Sequence, residues 1–222
     1  MSQNKQEKLI IVGTGDYALM AHFYLKEAYD IVGFSEEAAY KKKEEILGIA
    51  NYDFEELTQV FKSEEIKILV AVGPNKVNTV RQRLYEEVKQ KGYECISYIH
   101  PDAYVWDHSK VGENSFIFPN VTVEPFAEVG NNCIMWSGAI LAHHSTLEDH
   151  CFMAPGAAVS GRTVVKNNCF IGINSTVRDN VVVAEKTIVG GGAVIKKDTE
   201  KDGVYSATRT ELYNSDSTNT KV

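Results

Sequence analysis

The 222 residues are 44% hydrophobic, 10% aromatic and 24% charged, ordinary for a globular chain of one or two domains. With 30 acidic against 23 basic side chains the net charge is −7, which argues against broad nucleic-acid binding, because that needs a basic footprint. No apolar run approaches the roughly 18–20 residues of a membrane span, residues 9–12 are too short for a signal-peptide core, and four cysteines without a CxxC pair make no disulfide framework. The expectation is a soluble, cytoplasmic protein.

Residues 9–12 read as a buried strand, Gly13-Thr14-Gly15 as a turn, and Asp16 as the cap of a helix. Leu19, Met20, Phe23 and Tyr24 supply that helix's apolar spacing. Residues 31–34 give a second strand, 54–61 a short helix, 66–72 a third strand, 75–91 a charged amphipathic helix and 95–99 a fourth strand. Lys41, Lys42 and Lys43 with their flanking glutamates read as a solvated loop. Strands alternating with helices predict a parallel sheet covered on both faces, about half of a full dinucleotide-binding fold. After His100-Pro101 the helical patterns stop.

From Val105 to Ile195 every sixth residue is aliphatic or methionine, sixteen in succession without an insertion. Two positions before each, the residue is nearly always small, as at Ala127, Cys133, Ala139 and Ser145; three positions after, Asn or Gly dominates, as at Asn114, Asn120, Asn132 and Gly138. Asn and Gly tolerate a left-handed backbone. The combined period predicts a hexapeptide β-helix, in which each hexad is a short strand plus a turn and three hexads close a triangular coil. Sixteen hexads make a little over five coils, roughly 25 Å tall at a strand spacing of about 4.8 Å. Cys133, Cys151 and Cys169, spaced by 18, then stack in one column of small buried positions. The fold class expected is an α/β, half-Rossmann-like domain (1–99) followed by an all-β left-handed parallel β-helix (100–200). A tail (201–222) follows, disordered from Ser215 by its polar composition.

A small α/β domain ahead of an uninterrupted hexapeptide helix resembles the sugar acyltransferases of the sialic acid O-acetyltransferase type. That group includes enzymes that N-acetylate nucleotide-linked aminodeoxysugars. The segments carrying the likeness are residues 136–146 (WSGAILAHHST), 169–174 (CFIGIN) and 189–193 (VGGGA). The resemblance implies a homotrimer with acetyl-CoA in the cleft between adjacent helices, the nucleotide of the sugar on the α/β domain, and a histidine base. That base falls on His143, with His144 beside it where many members carry an orienting carboxylate. Glu124, Glu148 and Asp149 are the candidate orienters, and sequence does not choose among them. Gly161, at 143 + 18, stacks over His143 in the next coil and is the expected oxyanion donor. Gly172, Ile173, Gly190 and Gly191 are the expected wall for the pantetheine arm. The chain departs from the family in having Phe152 where many members have a second histidine, Tyr17 where some have another, and 206–210 (SATRT) in place of a terminal Gly-x-Pro-Ala.

Plainer readings stand beside these. His143 is also a possible solvent-facing turn residue, and His144 and His150 occupy a left-handed position where histidine is enriched for backbone reasons. Residues 13–18 form a GxGxxA motif with Glu36 about 20 residues on, which alone reads as NAD binding. A half-sized domain favours instead a nucleotide-sugar loop lined by Gly13, Gly15, Asp16 and Tyr17, with Ser35, Glu36 and Asn75 beside it. O-acetylation of a sugar is the alternative chemistry. A zinc enzyme resembling gamma-type carbonic anhydrases, using His108, His144 and His150, is the rival from another class; the preferred reading has no metal.

Overall fold

The computed structural model describes residues 7–212 and Thr218, so most of the tail expected to be disordered from Ser215 lies outside the described residues. The first part is a six-stranded sheet of β1 (Lys8–Val12), β2 (Asp30–Glu36), β3 (Glu45–Ile46), β4 (Ile49–Asp53), β5 (Lys67–Val70) and β6 (Glu94–Cys95), in the order β3-β4-β2-β1-β5-β6. Its ladders are parallel except for the β3–β4 hairpin. Alternation along the strands divides its apolar side chains between two cores. Ile10, Val12, Ile68 and Val70 pack with Phe54, Leu57, Leu84 and Val88, from the helices α2 (Leu57–Val60) and α3 (Thr79–Gln90) and the 3-10 turn Phe54–Glu56. Leu9, Ile11 and Leu69 face the other way, onto α1 (Asp16–Leu25) and a core continuous with the β-helix.

That second face corrects the sequence reading of α1. The helix buries Ala18, Ala21 and Leu25, whereas Leu19 and Phe23 are exposed. Met20 and Tyr24 do pack inward. Because α1 is wedged between a sheet and the β-helix, its close approach selects small alanines rather than one wide apolar stripe. Asp16 is not the cap: Gly15 holds that position in extended backbone, and Asp16 is the first helical residue. The hairpin β3–β4 was not foreseen, and Lys41, read as solvated, pairs with Glu44 (2.8 Å) and Asp53 (3.0 Å). The expected fourth strand splits. Glu94–Cys95 closes the α/β sheet, while Tyr98–Ile99 already pairs with Phe116–Ile117 of the β-helix.

The β-helix follows the period residue by residue. Its two-residue strands pair in parallel with a step of 18, as in Thr122↔Ile140↔Ala158↔Thr176↔Val194. From Ile117 to Ile195 every clock residue is buried, and only Val105 and Val111, at the open first coil, are half-buried. Every sixth residue from Asn114 to Gly192 has positive φ, including Phe126, His144, His150, Arg162 and Lys186. That conformation costs an L-residue other than Asn or Gly about 1–2 kcal/mol. The three stacked sheets make a prism. The docked face, from Tyr98–Ile99 up to Val204–Tyr205, lies against the α/β domain. The open face runs from Tyr104–Val105 to Val194–Ile195, and the third face from Glu128–Val129 to Val182–Val183. Cys133, Cys151 and Cys169 are free and buried in their column, and burial pushes the Cys133 thiol up to about 12, so it stays an inert thiol.

The two parts are clasped along the edge between the third and docked faces. Arg81, fully buried on α3, donates to the carbonyls of Val70, Asn114 (2.8 Å) and Asn132 (3.3 Å), and Asn78 Nδ2 donates to the Cys169 carbonyl (3.1 Å). Burial pulls the guanidinium down to about 10, still charged at neutral pH. Beside it runs a directional ladder. Val70 N–H donates to Asn114 Oδ1 (2.8 Å), Asn114 Nδ2 to Asn132 Oδ1 (2.6 Å), and Asn132 Nδ2 to His150 Nδ1 (2.9 Å).

Candidate active site

The carboxyl ends of β1, β2 and β5 open onto a cavity of about 770 Å³, where ligands of open α/β sheets bind. Gly13 has a φ of +120°, and a Cβ there would sit 2.6 Å from the Ala71 carbonyl oxygen, so only glycine fits the turn. Of the expected residues, Gly13, Gly15, Tyr17, Glu36 and Asn75 line the cavity. Asp16 and Ser35 do not; Ser35 is fully buried behind the loop and its carbonyl accepts the Gly13 N–H (2.7 Å). Glu36 is fixed from two sides, by the Thr14 hydroxyl on Oε2 and Asn51 Nδ2 on Oε1, both at 2.8 Å. Sequence reasoning missed the cavity's cations, Lys76 and Arg83. It also missed the backbone that presents the first, where Lys76, Val77 and Asn78 have φ of 50°, 52° and 62°. A β-branched residue in that region is strained, and such strain concentrates at ligand sites.

Tyr17 forms the floor between this cavity and the β-helix. Its ring lies edge-on to Trp136 (5.7 Å) and Phe152 (6.4 Å), and Gly73 leaves it room, since a Cβ at Gly73 would be 2.7 Å from the ring. Burial raises the phenol above its ordinary value. Phe118 stacks on Trp136 and Phe152 on Phe170, so Tyr17 and Phe152 belong to a continuous aromatic wall.

The remaining expected residues lie on other edges of the prism. His143 follows the open-face strand Ile140–Leu141 and precedes the third-face strand Thr146–Leu147, so it stands on the far edge, opposite the docked face. Its ring rests on Gly161 of the coil above: a Cβ at Gly161 would be 2.6 Å from Cε1 and 2.7 Å from Nε2. The stacking expected from the 18-residue step is therefore real. The room left by the missing side chain is filled by the imidazole itself, rather than left open for an incoming thioester. Of the three candidate carboxylates none reaches the ring. Glu124 Oε2 accepts the backbone N–H of His143 (2.8 Å), Glu148 pairs with Lys166 (2.6 Å), and Asp149 accepts the Asn131 N–H (2.7 Å). The ring's partner is His144, Nδ1 to Nδ1, at 3.1 Å.

Gly172, Ile173, Gly190 and Gly191 stand on the edge between the docked and open faces, one face away from His143. A Cβ at Gly172 would collide with the backbone of Gly190 and Gly191 at 2.6–2.7 Å, so coil stacking accounts for that glycine, whereas Ile173 is exposed. The zinc constellation does not assemble. His150 is buried against Asn132 and Tyr85 on a different edge from His144, and no group of three metal-ligating side chains occurs among the described residues.

The chain thus joins an α/β domain holding a cavity to a hexapeptide prism with a histidine on its far edge. Residues 94–204 match the family described as the GMPPB C-terminal domain, and residues 8–88 match the PglD N-terminal domain. With half of its length matched by the former, the chain belongs to the GMPPB C-terminal domain family, in the hexapeptide-repeat β-helix class. Among solved structures, the acetyltransferase domain of PglB from Neisseria gonorrhoeae is 23% identical, with 91% of this chain and 97% of that one covered and a TM-score of 0.79. That domain has also been solved with acetyl coenzyme A. A mutant of perosamine N-acetyltransferase from Caulobacter crescentus, in complex with CoA and GDP-perosamine, is 24% identical over 90% and 93% of the two chains, TM-score 0.78. WeeI from Acinetobacter baumannii is 16% identical over 88% and 94%, TM-score 0.72. No curated protein sequence matches. These likenesses establish a shared fold over nearly the whole chain, and no described helix is long and apolar enough to cross a membrane.

Proposed function

We propose that the chain is an acetyl-CoA-dependent N-acetyltransferase acting on the amino group of a nucleotide-linked aminodeoxysugar. The observation that carries this reading is the His143 imidazole seated on Gly161, at an edge where the Gly161 N–H has no acceptor among the described hydrogen bonds. The sugar amine attacks the thioester carbonyl carbon, and a C–N bond forms. The imidazole takes the ammonium proton, the oxyanion is held by a backbone N–H such as that of Gly161, and collapse breaks the C–S bond to release the CoA thiol. The β1–β2–β5 cavity suits a nucleotide, with Glu36 for hydroxyl or ring N–H groups and Lys76 for phosphate, while Arg83 is held by Glu37 and Glu87 at 2.8 Å each. The perosamine enzyme of the same fold, crystallised with CoA and GDP-perosamine, supports both substrates.

Cavity and base stand on opposite sides of one protomer, so the reading requires assembly. The open face is suited to it: its outward residues Tyr104, Thr122, Ile140, Ala158, Thr176 and Val194 carry no charge, and Tyr104, Ile140 and Val194 are exposed. Packed as a trimer, the far edge of one copy with His143 and Gly161 meets the edge of the next that carries Gly172, Ile173, Gly190 and Gly191. Acetyl-CoA lies between them. The test is thiol release from acetyl-CoA with UDP-, dTDP- and GDP-linked aminosugars, with acetylated product read by mass. Release with one of them establishes the reaction and identifies the nucleotide, whereas silence with all three overturns it. Mixing H143A with E36A should restore turnover in co-assembled trimers; no restoration overturns the shared site.

A further inference from the structure

The geometry points to His144 as the positioning residue for His143, taking the place of a carboxylate. The inference rests on His143 being the base. Their Nδ1 atoms are 3.1 Å apart with the rings nearly perpendicular (86°), within reach for one Nδ1–H to donate to the other's lone pair. A single proton serves this contact. If it sits on His143, Nε2 of His143 carries the free lone pair that a base needs, and His144 is the neutral Nε2–H tautomer. The reverse assignment leaves His143 with its proton on Nε2 and no basic function. Basic function at His143 therefore requires the shared proton on its own Nδ1 with His144 as the acceptor, and that acceptor role is the one assigned to His144.

His144 is itself held. Its backbone has the left-handed φ of 60° that every corner of the prism demands, and its ring packs at 4.8 Å on Phe126, the corner residue of the coil below. Phe126 in turn contacts Trp106 (5.4 Å), so an aromatic stack supports the pair from beneath. The charged side chains around it are Glu124 in the coil below, engaged by the His143 backbone N–H, and Arg162 in the coil above, whose N–H donates to the His143 carbonyl (3.0 Å). Neither makes a side-chain hydrogen bond to the imidazoles among the described residues. When His143 accepts the substrate's proton, the cation is hydrogen-bonded to a neutral imidazole rather than to an anion, and a second proton would set donor against donor. Such a pair releases its proton to the departing thiolate more readily than one locked to a carboxylate.

Three substitutions separate this role from a turn residue's. Asn places Oδ1 where His places Nδ1 and is at home in the left-handed corner, so H144N keeps kcat within a few-fold of the unsubstituted enzyme. H144G keeps the backbone but removes the acceptor, and kcat falls about 10–100-fold with the KM for acetyl-CoA and sugar unchanged. H144D puts an anion at the same point and moves the acid limb of kcat/KM up by about one pH unit or more, because a carboxylate stabilises the imidazolium. Full activity in H144G while H143A is inactive overturns the positioning role alone, as does an H144D pH profile that overlays the original. Full activity in both H143A and H144G removes the base reading itself.

Discussion

His144 and His150 occupy equivalent positions one hexad apart, with the same φ of 60°. The first stands on an exposed edge against His143 and Phe126; the second is 8% exposed, at the end of an asparagine ladder beneath α3. Identical backbone demand has produced one imidazole paired with His143 on an exposed edge and another packed between the prism and α3. What distinguishes them is not the repeat but what is packed on the edge: solvent or a neighbouring copy in one case, the α/β domain with Arg81 in the other. The comparison predicts that changes at the far edge alter turnover and leave stability alone, while changes at the clasped edge do the reverse.

The largest expected effect is at the far edge. H143A should lower kcat by about 10²–10⁴ with an unchanged Tm, and a full-rate variant would remove the base. At the clasped edge, R81M leaves buried carbonyls without their donor and should cost roughly 2–4 kcal/mol, read as a lowered midpoint in urea; an unchanged midpoint would mean the clasp is incidental. G161A sharpens the far edge again: its Cβ must displace the imidazole, so kcat should drop about 10–100-fold with native Tm. The smallest effect is at His150, whose pKa burial lowers, with Asp149 and Glu86 opposing that shift and Arg81 adding to it. The unfolded chain therefore takes up this proton first as pH falls below about 6.5, and native stability is lost on acidification. H150N should flatten that decline in Tm; a decline of the same steepness would assign it to other groups.

The backbone of the prism was fully legible, because small, aliphatic and left-handed positions each repeat with the same period and three hexads must close a coil. The α/β domain was legible only in outline. The hairpin β3–β4 includes a two-residue strand with no period to detect, and α3 starts at Thr79 rather than 75 because residues 76–78 turn left-handed, with Asn78 committed to Cys169. In the site, the 18-residue step sufficed to place Gly161 against His143. The partner of His143 was not legible, since periodicity fixes where a backbone turns and says nothing of side-chain torsions. Arg81 had a signal that went unread: it lies 3, 4 and 7 residues before Leu84, Tyr85 and Val88, on the buried face of α3.

The step of 18 that registers every ladder also sets how this chain can change length. Each hexad turns the chain by one face, so losing six residues between His143 and Gly161 would rotate everything above onto the next face and carry that glycine away from His143. Losing a whole coil would shorten the tower and keep every remaining edge aligned. A gene for such a molecule tolerates growth and loss by entire storeys, while smaller insertions survive only where they bulge from a corner without entering the count.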